Sequence, residues 1–332
     1  MPCTYWILIG PREAAGSRIH GYRIHDFLLR RGRRSEILFE PFHWLPDPPI
    51  TAQDARELPI FGRGDVVIFQ KVSGPATRSL LTHLKSLGVA TVYVDCDLPL
   101  KIQEARLASI TICSSEYLAS LYMEQGGVTV RYIPDAYECS IAPREKRSPR
   151  RRLRCVWFGS GTSARWKEIN LLKQSVFENL THSILLTVSD HPEADVRWNP
   201  RTAWKHIQTC DVAVIPASDS PEAFAKSSNR AIQAMALGLP VVAFPIPAYL
   251  EVIRDGRNGF LCTTPEDWHS ALTKLKNPSR REWMSARAYR YARRYFAMDR
   301  IGPIWDQLLQ GLSNSSSKKA ETPQVEVLRV GI

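Results

Sequence analysis

The stretch KSSNRAIQAMALGLPVVAFP (226–245) places a lysine, two serines, an asparagine and an arginine directly before a short apolar helix pattern. Ser227, Ser228 and Asn229 are each competent helix N-caps. A helix start carries unpaired backbone N–H groups and the positive end of the helix dipole, which together attract an anion. Lys226 adds a point charge one step outside, and Arg230 can fork onto a phosphate or face solvent. The chemistry expected is therefore the seating of a phosphate. The competing reading is a Ser-capped core helix that packs Ile232, Met235 and Ala236 on a sheet. The loop PASDSPEAF (216–224), with Ser218 and Glu222, precedes this start and falls at the same strand edge.

Three other clusters can do chemistry. GSGTSARWK (159–167) offers Gly159, Ser160 and Gly161 for close backbone approach, with Arg165 and Lys167 as cations. GPREAAGSRIHG (10–21) is a strand–loop–helix context in which Gly16, Ser17 and Arg18 open the helix. It lacks the glycine spacing of dinucleotide and P-loop motifs, so those readings are weak. Asp95-Cys96-Asp97 ends an apolar run. An Asp-x-Asp pair can hold a divalent metal, but the motif is short and frequent by chance. Asp95 is expected to line an acceptor pocket, with no metal site. The run REWMSARAYRYARR (281–294) is basic and aromatic at helical spacing; a helix packing its aromatics with arginines in water is favoured over a nucleic-acid surface.

Positioning these groups falls to alternating elements. Strands are expected at 5–9, 36–39, 66–69, 91–94, 110–113 and 130–133, with helices at 18–31, 76–87 and 116–125. The second half repeats the plan, with strands at 155–158, 184–188, 211–215, 240–243 and 260–262. Its helices are expected at 166–180, 201–209, 229–237, 265–276 and 279–296. Alternation with β-branched strands implies parallel sheets covered on both faces, an α/β fold of two facing Rossmann-like domains. The expected boundaries are a first domain over 1–141, a basic linker over 142–154, a second domain over 155–298, a helix over 299–312 and a flexible tail over 313–332. The linker segment APREKRSPRRRLR has seven basic residues and one acid.

Composition narrows the partners. The formal charge is +11 over 332 residues, which favours an anionic partner. Seven cysteines, an odd number without a CxxC pair, point to reduced buried thiols in a cytoplasmic protein. The N-terminal run is too short and lacks the basic flank of a signal peptide, and no run has the length of a membrane span, so a membrane would be met from one side.

The ordered series Glu222, Lys226–Arg230, Gln233–Ala243 and EVIRDGRNGFL (251–261) resembles the donor-binding half of family 4 glycosyltransferases. YWILIG with AGSRIHGYRIHDFLLRRG resembles the first strand and helix of such enzymes, and YIPDAYE (132–138) the close of their first domain. The resemblance implies a GT-B fold with a final helix crossing back to the first domain. It also implies transfer of a sugar from a nucleotide diphosphate sugar to a glycan or lipid-linked acceptor, retaining and metal-independent, with no cofactor. Lys226 and Glu222 would then act in catalysis. Gly159, Ser160, Gly161, Arg165, Lys167, Ser218, Ser227, Ser228, Asn229 and Gln233 would bind the donor, and Gly16, Ser17, Arg18 and Asp95 the acceptor. Peripheral contact with the inner face of the plasma membrane fits the basic charge; no nucleic acid is expected. The sequence departs from the family where two glutamates stand eight residues apart, because Ala225 and Gln233 occupy those positions. A non-catalytic nucleotide- or glycan-binding module and a nucleotide-sugar epimerase of the same fold are the alternatives.

Overall fold

The computed structural model describes residues 2–50, 61–139 and 152–315. The chain divides into two compact units, Met1–Asp135 with Met298–Ile332, and Ala136–Ala297. Of the expected linker, 142–151 lies outside the described residues, and Leu153 and Arg154 already belong to a strand. Of the expected tail, 316–332 lies outside them.

The first unit begins with β1 (Cys3–Leu8), α1 (Ala15–Ser17) and α2 (Arg23–Arg30), the two helices joined by a π-helical turn over Arg18–Tyr22. The wider turn coincides with Gly21, where a Cβ would lie 2.6 Å from Leu8 of β1. The helix thus approaches the sheet more closely than any other residue allows. There follow β2 (Arg34–Phe39), β3 (Val66–Gln70), α3 (Pro75–Ser86), β4 (Ala90–Asp95), α4 (Ile102–Leu107), β5 (Ile110–Cys113), α5 (Glu116–Glu124) and β6 (Val130–Tyr132). All strand pairs are parallel, in the order β2-β1-β3-β4-β5-β6. Every residue of β1, β3 and β4 is buried, as a sheet covered on both faces requires.

The second unit has β7 (Leu153–Gly159), α6 (Ser163–Ser175), β8 (Ser183–Ser189), β9 (Val196–Arg197), α7 (Ala203–Gln208), β10 (Val212–Ile215), α8 (Pro221–Phe224), α9 (Asn229–Ala236), β11 (Val241–Ala243), α10 (Pro247–Val252), β12 (Gly259–Leu261), α11 (Pro265–Lys276) and α12 (Pro278–Tyr295). Its sheet is parallel, in the order β12-β11-β10-β7-β8-β9. The strands alternate between two cores. Val156, Phe158, Ala213 and Ile215 pack with Ile232 and Met235 of α9. Cys155, Trp157, Val212 and Val214 pack on the other side with Ile169, Leu172 and Trp268. Within EVIRDGRNGFL the turn between α10 and β12 is held by its own side chains. Arg254 N donates to Asn258 Oδ1 at 2.7 Å, Asn258 Nδ2 to the Val252 carbonyl at 3.0 Å, and Leu261 N to Asp255 Oδ1 at 2.9 Å. A Cβ on Gly259 would meet the Val241 carbonyl oxygen at 2.4 Å, so only glycine lets β12 pair there.

The chain then returns to the first unit as α13 (Met298–Ser315). Trp305 lies 6.5 Å from Trp6 of β1, and Gly302 abuts the ring of Phe27. Arg33 Nε donates to Asp306 at 3.0 Å, and Ser313 Oγ to the Gly64 carbonyl at 2.6 Å. No disulfide joins the seven cysteines, all of them buried. Among the described residues no helix is long and apolar enough to cross a membrane.

Candidate functional site

In open parallel sheets ligands bind at the carboxyl ends of the strands, where the strand order reverses direction. In the second unit that point lies between β7 and β10. β7 ends at Gly159, and β10 leads through the 216–228 segment into α9.

The start of α9 holds polar groups of an unusual kind. Ser228 precedes the helix without capping it by its side chain, and Asn229 N donates to Ser227 Oγ at a long 3.4 Å. Asn229 Nδ2, Arg230 Nη1 and Gln233 Nε2 are buried donors with no hydrogen-bond partner among the described residues. Leaving such a donor unmade costs about 1–3 kcal/mol, more where the group is charged. A ligand rich in acceptors, or water, would satisfy these three neighbouring donors. Arg230 runs alongside Gly159: a Cβ placed on that glycine would lie 3.6 Å from Arg230 Cδ and 3.9 Å from Nη1. Gly159 thus packs against Arg230 and Trp157 at the switch point. Lys226, half-buried, lies three residues before Asn229, the first residue of the helix.

Several residues expected to face the donor are engaged otherwise. Gln233 is 1% exposed, and its carbonyl oxygen accepts from Glu138 N at 2.8 Å and Cys139 N at 3.4 Å, tying the start of the unit to α9. It fastens backbone; only its Nε2 is left to meet anything else. Ala225 is fully buried, so neither glutamate position presents a charge. Gly161 is a packing glycine: its amide donates to Asp190, and a Cβ would meet His191 N at 2.5 Å. Ser160 accepts from Arg165, which holds that guanidinium on the 159–161 loop. Lys167 is exposed on α6. Ser218 N donates to Glu168 at 2.9 Å, and Glu222 stands exposed in the first turn of α8, whose Ser220 accepts from Ala223 N at 3.2 Å.

In the first unit the order reverses between β1 and β3. There Ser17 is fully buried and its hydroxyl lies 3.4 Å from Gln70 Oε1. Arg18 turns back onto the Glu13 carbonyl at 2.7 Å. Gly16 adjoins three side chains, since a Cβ there would find Gln70 Nε2 at 3.7 Å, Lys71 Cδ at 3.9 Å and Trp44 at 3.9 Å. Gln70 Nε2 is another buried donor without a partner among the described residues. Lys71 has φ 59°, the left-handed region that strains a side-chain-bearing residue. It pairs with Asp97 and lies 5.0 Å from the Trp44 ring. Asp95, expected to meet an acceptor, is 2% exposed and satisfied internally by Tyr122 OH at 2.5 Å and Cys96 N at 2.8 Å. Burial raises its pKa above the usual carboxylate value, while Tyr122 and Lys71 oppose that rise. Asp97, not Asp95, is the partly exposed carboxylate of this edge. Gln70, Lys71 and Trp44 were not singled out from sequence. The signal lay in a polar pair, Gln70-Lys71, closing the apolar run VVIF.

His20, on the π turn, sits 3.1 Å from Asp135. Burial opposes its charge, but Asp135 and Cys96 raise its pKa well above 6.5. A raised folded-state value means that this pair's stabilisation is complete below about pH 6.5 and fades as pH rises through the folded value. Urea midpoints are expected to fall with pH above 6.5 in the native protein and to flatten in His20→Gln; equal slopes in both would exclude the pair as the cause.

Residues 140–277 match the family model described as Glycosyl transferases group 1. No curated protein matches the sequence. Among solved structures, sucrose-phosphate synthase from Thermosynechococcus elongatus is 13% identical with a TM-score of 0.70, over 95% of this chain and 100% of that one. The Anabaena protein HepE, solved with UDP and glucose, is 14% identical with a TM-score of 0.69, over 93% of this chain and 99% of that one. A variant of S. aureus TarM, solved with fondaparinux, α-GlcNAc-glycerol and UDP, is 14% identical with a TM-score of 0.59. That likeness covers 74% of this chain but 55% of TarM, so the chain spans little more than half the length of that relative. At such identities the structures speak for the fold alone, and the family match speaks for residues 140–277. Those residues resemble a group 1 glycosyltransferase domain, and the two parallel α/β sheets share the GT-B fold of these structures.

Proposed function

We propose that the protein transfers a hexosyl group from a nucleotide diphosphate sugar to a glycan or lipid-linked acceptor. The observation that carries this is the set of unsatisfied buried donors between Asn229 and Gln233 of α9, with Arg230 beside Gly159 at the switch point. A diphosphate supplies the acceptor oxygens they lack. Loss of a nucleoside diphosphate builds negative charge on the leaving oxygen, and fixed donors in a dry site stabilise such charge best. Arg230, Asn229 and Lys226 fill that role, with retention of configuration and no metal or cofactor. The acceptor side is the Gly16, Gln70, Lys71 and Trp44 edge of the first unit. A growing cell-surface glycan or its lipid carrier, met at the inner face of the membrane, suits the net charge of +11.

The family match over 140–277 supports the reading, as do UDP complexes of proteins with this fold. One observation favours a second reading, a nucleotide-binding module without turnover: neither Ala225 nor Gln233 offers a carboxylate. A thermal-shift and calorimetric screen with nucleoside diphosphates and their sugars decides between them. Binding with sugar transfer across an acceptor panel supports the enzyme, binding without transfer supports the module, and no binding removes both. Lys226→Ala is expected to weaken nucleoside diphosphate binding about 3- to 10-fold, the loss of one partly screened charge. Unchanged affinity would take Lys226 out of the site.

A further inference from the structure

The helix α12 is accounted for by neither site. Its buried side holds Met284, Ala288 and Ala292, and Arg281, which donates to the Leu275 and Lys276 carbonyls at 2.9 and 3.2 Å. Its outer side is another matter. Arg280, Trp283, Arg287, Arg290 and Arg294 recur at steps of three and four, so they form one stripe along the helix. All five are exposed, Trp283 at 46%. From Arg280 to Arg294 the stripe runs roughly 21 Å at 1.5 Å per residue. Arg293 flanks it, and Glu282 is the helix's single acid. Near its start Arg280 and Lys274 both approach the Phe260 ring, at 5.5 and 5.7 Å. A solvated helix of this length ordinarily interleaves acids with its bases to relieve repulsion. Here four guanidinium groups share a stripe with no carboxylate between them.

We infer that this stripe is a docking surface for an anionic lipid bilayer. The row lies along the exposed side of one helix, and its positive charge complements a plane of anionic headgroups. Arginine stems can lie along the surface with their charges on phosphate oxygens. Trp283 stands within the row, and an indole is the side chain most at home at the boundary between headgroup and acyl chain. Arg287 covers one face of its ring at 4.3 Å, a cation–π contact. The stripe carries a single aromatic side chain, whereas binding of single-stranded nucleic acid draws on successive aromatic platforms. Clustered basic residues gain affinity for anionic leaflets in proportion to their number and lose it as salt screens the surface. The inference stands independently of the donor site, because it needs no nucleotide.

The test uses the full chain and vesicles of phosphatidylcholine with about 30% phosphatidylglycerol, compared with phosphatidylcholine alone, by co-sedimentation at two salt concentrations. The native protein is expected to bind the anionic vesicles, to release them at high salt and to ignore the neutral ones. Replacing Arg280, Arg287, Arg290 and Arg294 together by Gln should lower the partition coefficient at least tenfold, whereas replacing the same four by Lys should keep it within about threefold. Trp283→Phe should remove a share of the fluorescence quenching produced by acyl-brominated lipid. An unaltered glutamine variant, equal binding to neutral vesicles, no binding at low salt, or preference for RNA over the vesicles in competition would each overturn the proposal. Because nucleoside diphosphate affinity is measured on the same variants, loss of the donor site and loss of docking are read separately.

Discussion

Arg230→Gln is expected to weaken nucleoside diphosphate binding about 100-fold while leaving the unliganded protein as stable as before, or slightly more so. The split follows from one atom. Arg230 Nη1 is buried without a partner among the described residues, so in the empty protein it costs stability instead of adding to it. Removing it relieves that cost; a charged hydrogen bond to phosphate, worth about 1.5–3 kcal/mol, is lost only when the ligand arrives. Calorimetry with UDP and other nucleoside diphosphates, together with urea unfolding, reads both quantities. Loss of stability with unchanged affinity would make Arg230 a structural residue and would move the phosphate seat away from α9. Arg230→Lys is a stringent companion. A lysine keeps the charge but not the planar fork, so it should recover only part of the affinity.

Trp305→Ala should cost about 3–5 kcal/mol, the usual range for emptying a large buried aromatic site. Trp305 is 4% exposed and stands against Trp6, which has no exposure at all. The loss is expected to be local. Hydrogen exchange should quicken in peptides from β1, β3 and α2, all packed with α13 or beside its contacts, while β7, β10 and β11 keep their protection. A uniform change across both units would show that α13 does not belong to the first unit's core alone.

The strands were the most legible part of the sequence, because buried parallel strands appear as short runs of Val, Ile and aromatic residues. Ile110–Cys113 is found as expected, and most other strands differ at their ends by one or two residues. The misses have a shared cause. α4, α8 and α10 span four to six residues, too few for a helical period to show, and two of them begin with proline inside what reads as a loop. β9 has two residues. The site was legible as a region and misread in detail. Sequence order could place Lys226–Arg230 at a helix start, but not reveal that Gln233 would turn its oxygen to the 138–139 backbone, or that Arg230 would lie along Gly159. Those facts depend on which side chains meet across elements far apart in the chain. Likewise Asp95-Cys96-Asp97 gave no clue that its first carboxylate would be spent on Tyr122 and the second on Lys71.

The return of α13 to the first unit bears on how the protein is born. On the ribosome, domains fold broadly in the order in which they emerge. The first unit cannot close that way, because Trp305 and Gly302, which cover Trp6 and Phe27, are made only after the whole of Ala136–Ala297. The contiguous second unit can complete its core while the first still exposes that face of β1 and α2. During this interval the nascent chain presents an apolar surface to its surroundings. It is then that a holding chaperone, or a stretch of slowly translated codons before Met298, would have most effect on yield.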